Sequence, residues 1–326
     1  MRERDFISTI RNRFNHRSEL LIKGIGDDCA VFTGDGDLCW LATTDLLVED
    51  VHFVRKWHDP YLLGRKSVAV NISDIAAMGA RPRLALLSIA LPPSLSSSWL
   101  DRWQHGVDSM LGDHGCMLMG GDTTRSSVLT INVMVLGTSP AEKVLYRSGA
   151  KAGDDIYVSG PLGTSAAGFE LLSKGVQEDA LTEKFMRAHL DPQPQVALGL
   201  ALSASGFVTA MQDISDGIAT DISHICGESG VGAEIEAEKL PREEDFDTLC
   251  SSYDLSGQNL MISGGEDYEL VFTAACAKRR AIEAIGLALG KSLTRIGSVL
   301  AEQGRVYLRQ GDGKKDITFG GFEHAP

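Results

Sequence analysis

The stretch Gly24-Ile25-Gly26-Asp27-Asp28-Cys29-Ala30-Val31 sets two glycines and two adjacent carboxylates before an apolar run. Glycine lets the backbone turn tightly and approach a ligand closely. Adjacent carboxylates repel one another unless a cation or a hydrogen-bond network holds them. The same grammar recurs at strand ends in Thr43-Thr44-Asp45, Asn71-Ile72-Ser73-Asp74, Gly120-Gly121-Asp122-Thr123-Thr124 and Asp213-Ile214-Ser215-Asp216-Gly217. Taken singly, each is ordinary for a cap or a turn, where Asp is common. Together they predict a scaffold that gathers aspartates around hard metal ions. Oxygens of Asp, Thr, Ser and Asn suit Mg²⁺ or Ca²⁺ rather than zinc or copper, and no loop has the EF-hand pattern. Mg²⁺ held by carboxylates commonly completes its shell with phosphates.

Outward from these loops, Phe6, Ile7, Ile10 and Phe14 recur at helical spacing and predict a helix up to about Arg17. Strands are expected over 38–43, continued to Phe53, and over 84–91, 116–119 and 129–136. The strand at 116–119 is expected to empty into Gly120-Gly121-Asp122. A helix over 60–78, closed by Gly79, puts Asn71 and Asp74 on one face. A second helix over 94–112 carries Trp99 and Trp103 as core residues. After a loop at 139–153 the pattern restarts with strands at 155–158 and 208–211, and helices between them run to about Ser203. A helix follows the Asp213 motif, with Ser215 or Asp216 as its cap, and another spans 278–289. The expectation is an α/β (α+β) protein of two similar lobes, residues 1–140 and 150–326.

Composition narrows the function. A net charge of −13 argues against nucleic acid, which needs a positive footprint. It suits an anionic substrate only with cations between. No run of ~20 apolar residues predicts a membrane span, and the charged start Met1-Arg2-Glu3-Arg4-Asp5 lacks a signal-peptide core. A cytoplasmic protein is expected, its six cysteines unpaired, buried and, with no Cys-x-x-Cys, not a zinc cluster. Gly286 and Gly290 before Lys291-Ser292 are one residue too close for a phosphate loop, and Gly290 reads as a helix cap. No Gly-x-Ser-x-Gly elbow is present. His52 stands alone after an acidic run, a fair ligand contact, and Arg125 or Arg147 could clamp a phosphate bidentately.

These motifs, with His52-Phe53, Arg147 ahead of Gly149-Ala150, and Ser263-Gly264-Gly265-Glu266-Asp267-Tyr268, resemble in order and spacing the thiamine-monophosphate kinases along nearly the whole chain. Single motifs are shared with the wider aminoimidazole ribonucleotide synthetase-like superfamily. The resemblance implies a two-lobed fold whose N-terminal lobes join as a homodimer around a shared strand barrel. It implies ATP-dependent phosphorylation of thiamine monophosphate to thiamine diphosphate, the final step of that synthesis, with several Mg²⁺ ions. Metal roles fall on Asp28, Thr43, Thr44, Asp45, Asp74, Asp122, Asp213 and Asp216, and ATP contacts on Gly121, Asp122, Arg147 and Ser215. Thiamine phosphate would meet His52, Glu266 and Phe322, which stands where Trp or Tyr is expected and leaves stacking alone. Other superfamily activities remain alternatives. A selenophosphate synthetase would need a reactive Cys, whereas Cys29 heads into an apolar strand, and the Gly264–Tyr268 loop favours thiamine over a formylglycinamidine. A non-catalytic nucleotide or divalent-ion sensor is a further alternative. The acceptor phosphate is already ionised near pH 7, its second pKa being about 6, so direct transfer needs no general base.

Overall fold

The structure is a computed structural model and describes residues 3–14 and 18–322. Residues 1–2, 15–17 and 323–326, which the expected first helix and the two lobes include, lie outside the described residues.

The N-terminal part begins with α1 (Glu3–Arg13), which buries no residue. A six-stranded sheet follows, built from β1 (Leu21–Lys23), β2 (Ala30–Thr33), β3 (Leu38–Val48), β4 (Arg81–Leu91), β5 (Met117–Arg125) and β6 (Thr130–Pro140). Its spatial order is β1-β2-β3-β6-β4-β5, antiparallel except for the parallel β4–β5 pair. Helices α2 (Pro60–Ala77) and α3 (Ser97–Asp113) connect its strands. Burial alternates along β3 and β6, as a sheet with one covered face requires. α2 and α3 cross so closely that a Cβ on Gly64 would stand 2.1 Å from Trp103 O, and one on Gly106 1.9 Å from Tyr61 O. Only glycine permits that approach.

The C-terminal part holds β7 (Asp154–Val158), α4 (Thr164–Ser173), α5 (Glu183–Leu190), α6 (Val196–Ser205), β8 (Val208–Asp213), α7 (Ile218–Ser229) and β9 (Gly232–Glu236). It continues with α8 (Phe246–Tyr253), α9 (Gly257–Ser263), β10 (Leu270–Ala275), α10 (Arg279–Ala288), β11 (Thr294–Leu300), β12 (Val306–Gln310) and β13 (Gly313–Asp316). The seven strands run β13-β12-β9-β11-β7-β10-β8. This sheet is buried on both faces. Ile156 and Val158 pack with α4 and α7 residues on one side, while Tyr157 and Phe272 pack with Leu198 and Leu202 of α6 and Ile282 of α10 on the other.

α2 joins the two parts. It lies against β3, β6 and β4, and its other side meets α6 and β8, with Ala77 in the core of the second sheet. No residue of α2 is exposed.

The expected elements are present with four differences. β3 ends at Val48 and a turn follows, so the strand does not continue to Phe53. β5 does not stop before Gly120 but runs through it to Arg125, a register shift absorbing the irregularity. Gly217 rather than Ser215 or Asp216 is the N-cap of α7, and no side chain of the cap bonds the helix. Cys276 is exposed while the other five thiols are buried. Among the described residues no helix is long and apolar enough to cross a membrane.

Candidate active site

Three carboxylates from distant segments converge where α2 meets β8. Asp28 comes from the first glycine loop, Asp74 from the last turn of α2, and Asp213 from the end of β8; one oxygen of each lies within 4.8 Å of the others. Hydrogen bonds fix them. Thr43 Oγ1 donates to Asp74, Ser73 Oγ donates to Asp213 Oδ2 at 2.6 Å, and Asp45 N donates to Asn71 Oδ1 at 2.8 Å. Asn71 and Asp74 thus share the face of α2 that meets β3.

Burial and mutual repulsion hold these groups away from their ionised forms. Burial, opposed by Arg147 and reinforced by Asp213, pushes Asp28 up to about 7. Burial, then the nearness of Asp216, pushes Asp45 to about 6. Burial, relieved by the Ser73 bond, leaves Asp213 at about 6, and Asp74 stands well above the usual range. Asp28 Oδ2 is buried with no hydrogen-bond partner. An orphaned oxygen among oxygen donors under repulsion is the donor set of a hard divalent cation.

Arg147 is the cation built into the cluster. Its Nε donates to Asp28 Oδ1 at 2.9 Å, its Nη2 reaches the same oxygen, and its backbone N donates to Asp27. Nη1 lies 3.1 Å from His224 Nδ1, which burial and this guanidinium hold down to about 3, so the imidazole is neutral and accepts. The guanidinium is therefore committed to Asp28 in this structure rather than open for a bidentate phosphate clamp. Arg125 lies exposed at the end of β5.

The loop after α9 carries Glu266 and backs onto the Asp213–Gly217 loop. Glu266 N donates to Ser215 O and Tyr268 N to Ile214 O, at 2.8 and 2.9 Å. Phe322 N donates to Asp216 O, bringing the chain's end to the same place. Asp267 accepts from Gly163 N and Ser165 N at the start of α4, and burial pushes it up to about 7. Glu266 itself takes a left-handed φ of 62°. Its Oε2 meets Lys66 Nζ and His189 Nδ1, each at 3.0 Å. Despite burial, Lys66 and then His189 hold Glu266 below the ordinary carboxylate range. His52, in the turn after β3, accepts from Val48 N through Nδ1 at 3.1 Å. Neighbouring Phe53 meets His58, whose ring lies 6.1 Å from that of His189.

Gly121 and Asp122 do not join the others within one chain. They stand on β5, the open edge of the first sheet, exposed along its whole length. Thr44 faces away from α2, its Oγ1 accepting from Asn132. Lys66 and His189 were not singled out from sequence. A signal existed in Arg65-Lys66, two charges running straight into Ser67-Val68-Ala69-Val70 inside a largely apolar helix, which must find partners if buried.

The comparisons identify the family. Residues 26–139 match the family "AIR synthase related protein, N-terminal domain" and residues 151–309 match "AIR synthase related protein, C-terminal domain". The Thiamine-monophosphate kinase of Salmonella typhimurium is 38% identical over 308 residues, covering 92% of this chain and 91% of its own. This chain belongs to the thiamine-monophosphate kinase family. It is accordingly an enzyme, a kinase. A solved member of the family, from Stenotrophomonas maltophilia, superposes with a TM-score of 0.79 at 36% identity, covering 93% of this chain and 95% of that one. A structure described as "AaThiL complexed with AMPPCP and TMP" superposes with a TM-score of 0.85 at 31% identity, covering 99% and 97%. The thiamine-monophosphate kinase likeness thus spans both sheets.

Proposed function

We propose that the protein transfers the γ-phosphoryl group of ATP directly to thiamine monophosphate, yielding thiamine diphosphate and ADP, with Mg²⁺ ions held by its aspartates. The observation that carries this reading is the meeting of Asp28, Asp74 and Asp213 within 4.8 Å at the junction of the two sheets. A relative of the same fold is described with AMPPCP, an ATP analogue, and TMP bound.

Asp28, Asp74 and Asp213 would hold the cations, with Asp45, Asp216 and Thr43 at their margin. When bound, the ions neutralise both phosphates and favour an in-line approach. The chain does the rest. Ser73 and Thr43 aim the carboxylates, and Arg147 keeps Asp28 turned toward Asp213. Glu266, with His52 and Phe322, addresses the thiamine end, and Ser215 with Gly121 and Asp122 the nucleotide end. The acceptor phosphate oxygen forms the new P–O bond as the bond to the β-phosphate oxygen breaks, and ADP leaves with the electron pair. No side chain has to take a proton, because the acceptor is already a dianion near neutral pH.

Asp122 bears on quaternary structure. Asp45 pairs with Val133, Val133 with Leu87 and Leu87 with Gly121, so β3 and β5 stand three strands apart. At ordinary strand spacing that is about 14 Å, too far for Asp122 to share an ion with Asp45 of its own chain. The same sheet leaves one face bare, with Leu46, Met117 and Met119 52%, 68% and 48% exposed. Our reading is a homodimer in which that face and β5 are covered by a second copy, closing a strand barrel. Sedimentation of Met117→Lys tests it: a monomer of reduced turnover is expected, and an unaltered monomeric parent would refute it.

Incubation with ATP, Mg²⁺ and thiamine monophosphate tests the chemistry. Thiamine diphosphate should appear, and it should form about 10²- to 10³-fold more slowly with Asp213→Asn. Nucleotide binding without any product would favour the sensor reading instead.

A further inference from the structure

Lys66 is completely buried, and its Nζ donates to His189 O and Glu266 Oε2, both at 3.0 Å. Among the described residues, Glu266 is the one carboxylate within ion-pair distance of it. The second donor to Glu266, His189 Nδ1, converges on the same oxygen. Among the described residues no hydrogen bond falls on Glu266 Oε1, and the side chain is 27% exposed. One oxygen is anchored by two donors and the other is presented outward.

The surrounding frame is rigid. Arg65, next to Lys66, donates to Asp191 Oδ1 at 2.7 Å, and Asp191 stands two residues beyond His189. This ion pair ties α2 to the end of α5 beside the two donors. On the other side, Asp267 is fixed to the start of α4 and Glu266 N to Ser215 O, so the left-handed φ of Glu266 is imposed by bonds on both flanks.

We propose that Lys66 and His189 are positioning residues for the heterocyclic end of the substrate: by seizing Oε2 of Glu266 they aim Oε1 at a hydrogen-bond donor or cationic group of the thiamine moiety. This rests on the reading of Glu266 as a substrate contact. It adds that the contact is set by α2, the helix that also carries Asp74, so one element places both the organic and the phosphate-binding groups. A buried lysine whose charge is met by this single carboxylate cannot be neutralised without releasing Glu266.

The test is a double-mutant cycle read in KM for thiamine monophosphate and KM for ATP. Lys66→Met should raise the first about 10- to 100-fold, the scale of losing a partner behind a ligand, and leave the second nearly unchanged. In an Glu266→Gln background the same substitution should add no more than about twofold, because its route to the substrate is already gone. Lys66→Arg should recover part of the loss. His189→Asn removes the other donor without stranding a charge and carries the same cycle should Lys66→Met fail to fold. Equal rises in both KM values, or effects that multiply in the double variant, would overturn the inference and mark Lys66 as a packing residue. If Glu266→Gln raises KM for thiamine monophosphate while Lys66→Met and His189→Asn do not, the inference fails alone. If Glu266→Gln leaves that KM unchanged, the substrate-contact reading fails with it.

Discussion

The carboxylates gathered at the two ends of α2 face opposite circumstances. At its C-terminal end, Asp28, Asp74 and Asp213 crowd together beside the Arg147 guanidinium, and burial pushes Asp28 up to about 7 and Asp213 to about 6. Toward its N-terminal end, Glu266 is partly exposed, and Lys66 and His189 hold it below the ordinary range. The difference is one of supply. The protein provides the cation for Glu266 and leaves the aspartates short of positive charge. A carboxylate with its own lysine is prepared for a neutral donor or a single organic cation. A carboxylate cluster in deficit is prepared for ions that arrive from solution.

The largest expected effect comes from weakening the deficit. Asp74→Asn or Asp213→Asn should lower kcat by about 10²- to 10³-fold, the cost of deleting one electrostatic group from a reacting centre, while circular dichroism stays native. Near-normal turnover in both would break the contrast. A phosphorylated protein species caught by rapid quench would break the direct-transfer route with it.

Glu266→Gln comes next. It should act on KM for thiamine monophosphate, by about 10- to 100-fold, and far less on kcat. A loss confined to kcat would place Glu266 among the metal-side groups and erase the distinction.

Thermal stability separates the two regions by sign. The aspartates have raised values in the folded state, so their contribution to stability is present below the ordinary carboxylate value. It is lost as pH rises through about 6 to 7. Glu266 is lowered, so its contribution is present above the ordinary value and lost as pH falls. With chelator present, Tm should therefore decline from pH 5 to pH 8, and Asp213→Asn should flatten that decline. Mg²⁺ at 100 times its Kd adds about 2.7 kcal/mol, and more of that gain should appear at pH 8 than at pH 5. An Mg²⁺ effect equal at both values would show that the cluster does not bind it.

The smallest effect is expected at Phe322, a residue 53% exposed beside the Asp216 loop. Phe322→Trp should change KM for thiamine monophosphate by only about threefold, since a stacking pair is worth about 0.5–1.5 kcal/mol. A larger shift would mean that an indole N–H finds a partner there.

Much of the aspartate cluster was legible in the chain, because its groups announce themselves locally. Glycines beside Asp28 and Asp122, and the three-residue step from Asn71 to Asp74 on a helix, each carry a reason within a few residues. Asp28, Asp74 and Asp213, the three that converge, each sit at or next to the end of a strand or helix, whereas Asp45 and Asp122 stand inside β3 and β5. What the chain hid depends on long-range closure. Lys66 and Glu266 are 200 residues apart, and nothing near either names the other. Arg147 reads as a free phosphate clamp until Asp28 is placed beside it. β5 was cut short because two consecutive glycines argue against a strand. Gly121 is in fact demanded there: with φ at 157° its Cβ would lie 1.6 Å from Leu87 O.

The complete enclosure of α2 has a consequence for descent. An ordinary surface helix offers one side on which substitutions accumulate harmlessly, but this segment touches a sheet, a second lobe or a reacting group on every side. Neutral drift has no foothold there, and α1, which buries nothing, offers it freely. Among functioning descendants of this gene, the eighteen residues from Pro60 to Ala77 should change last and those of α1 first.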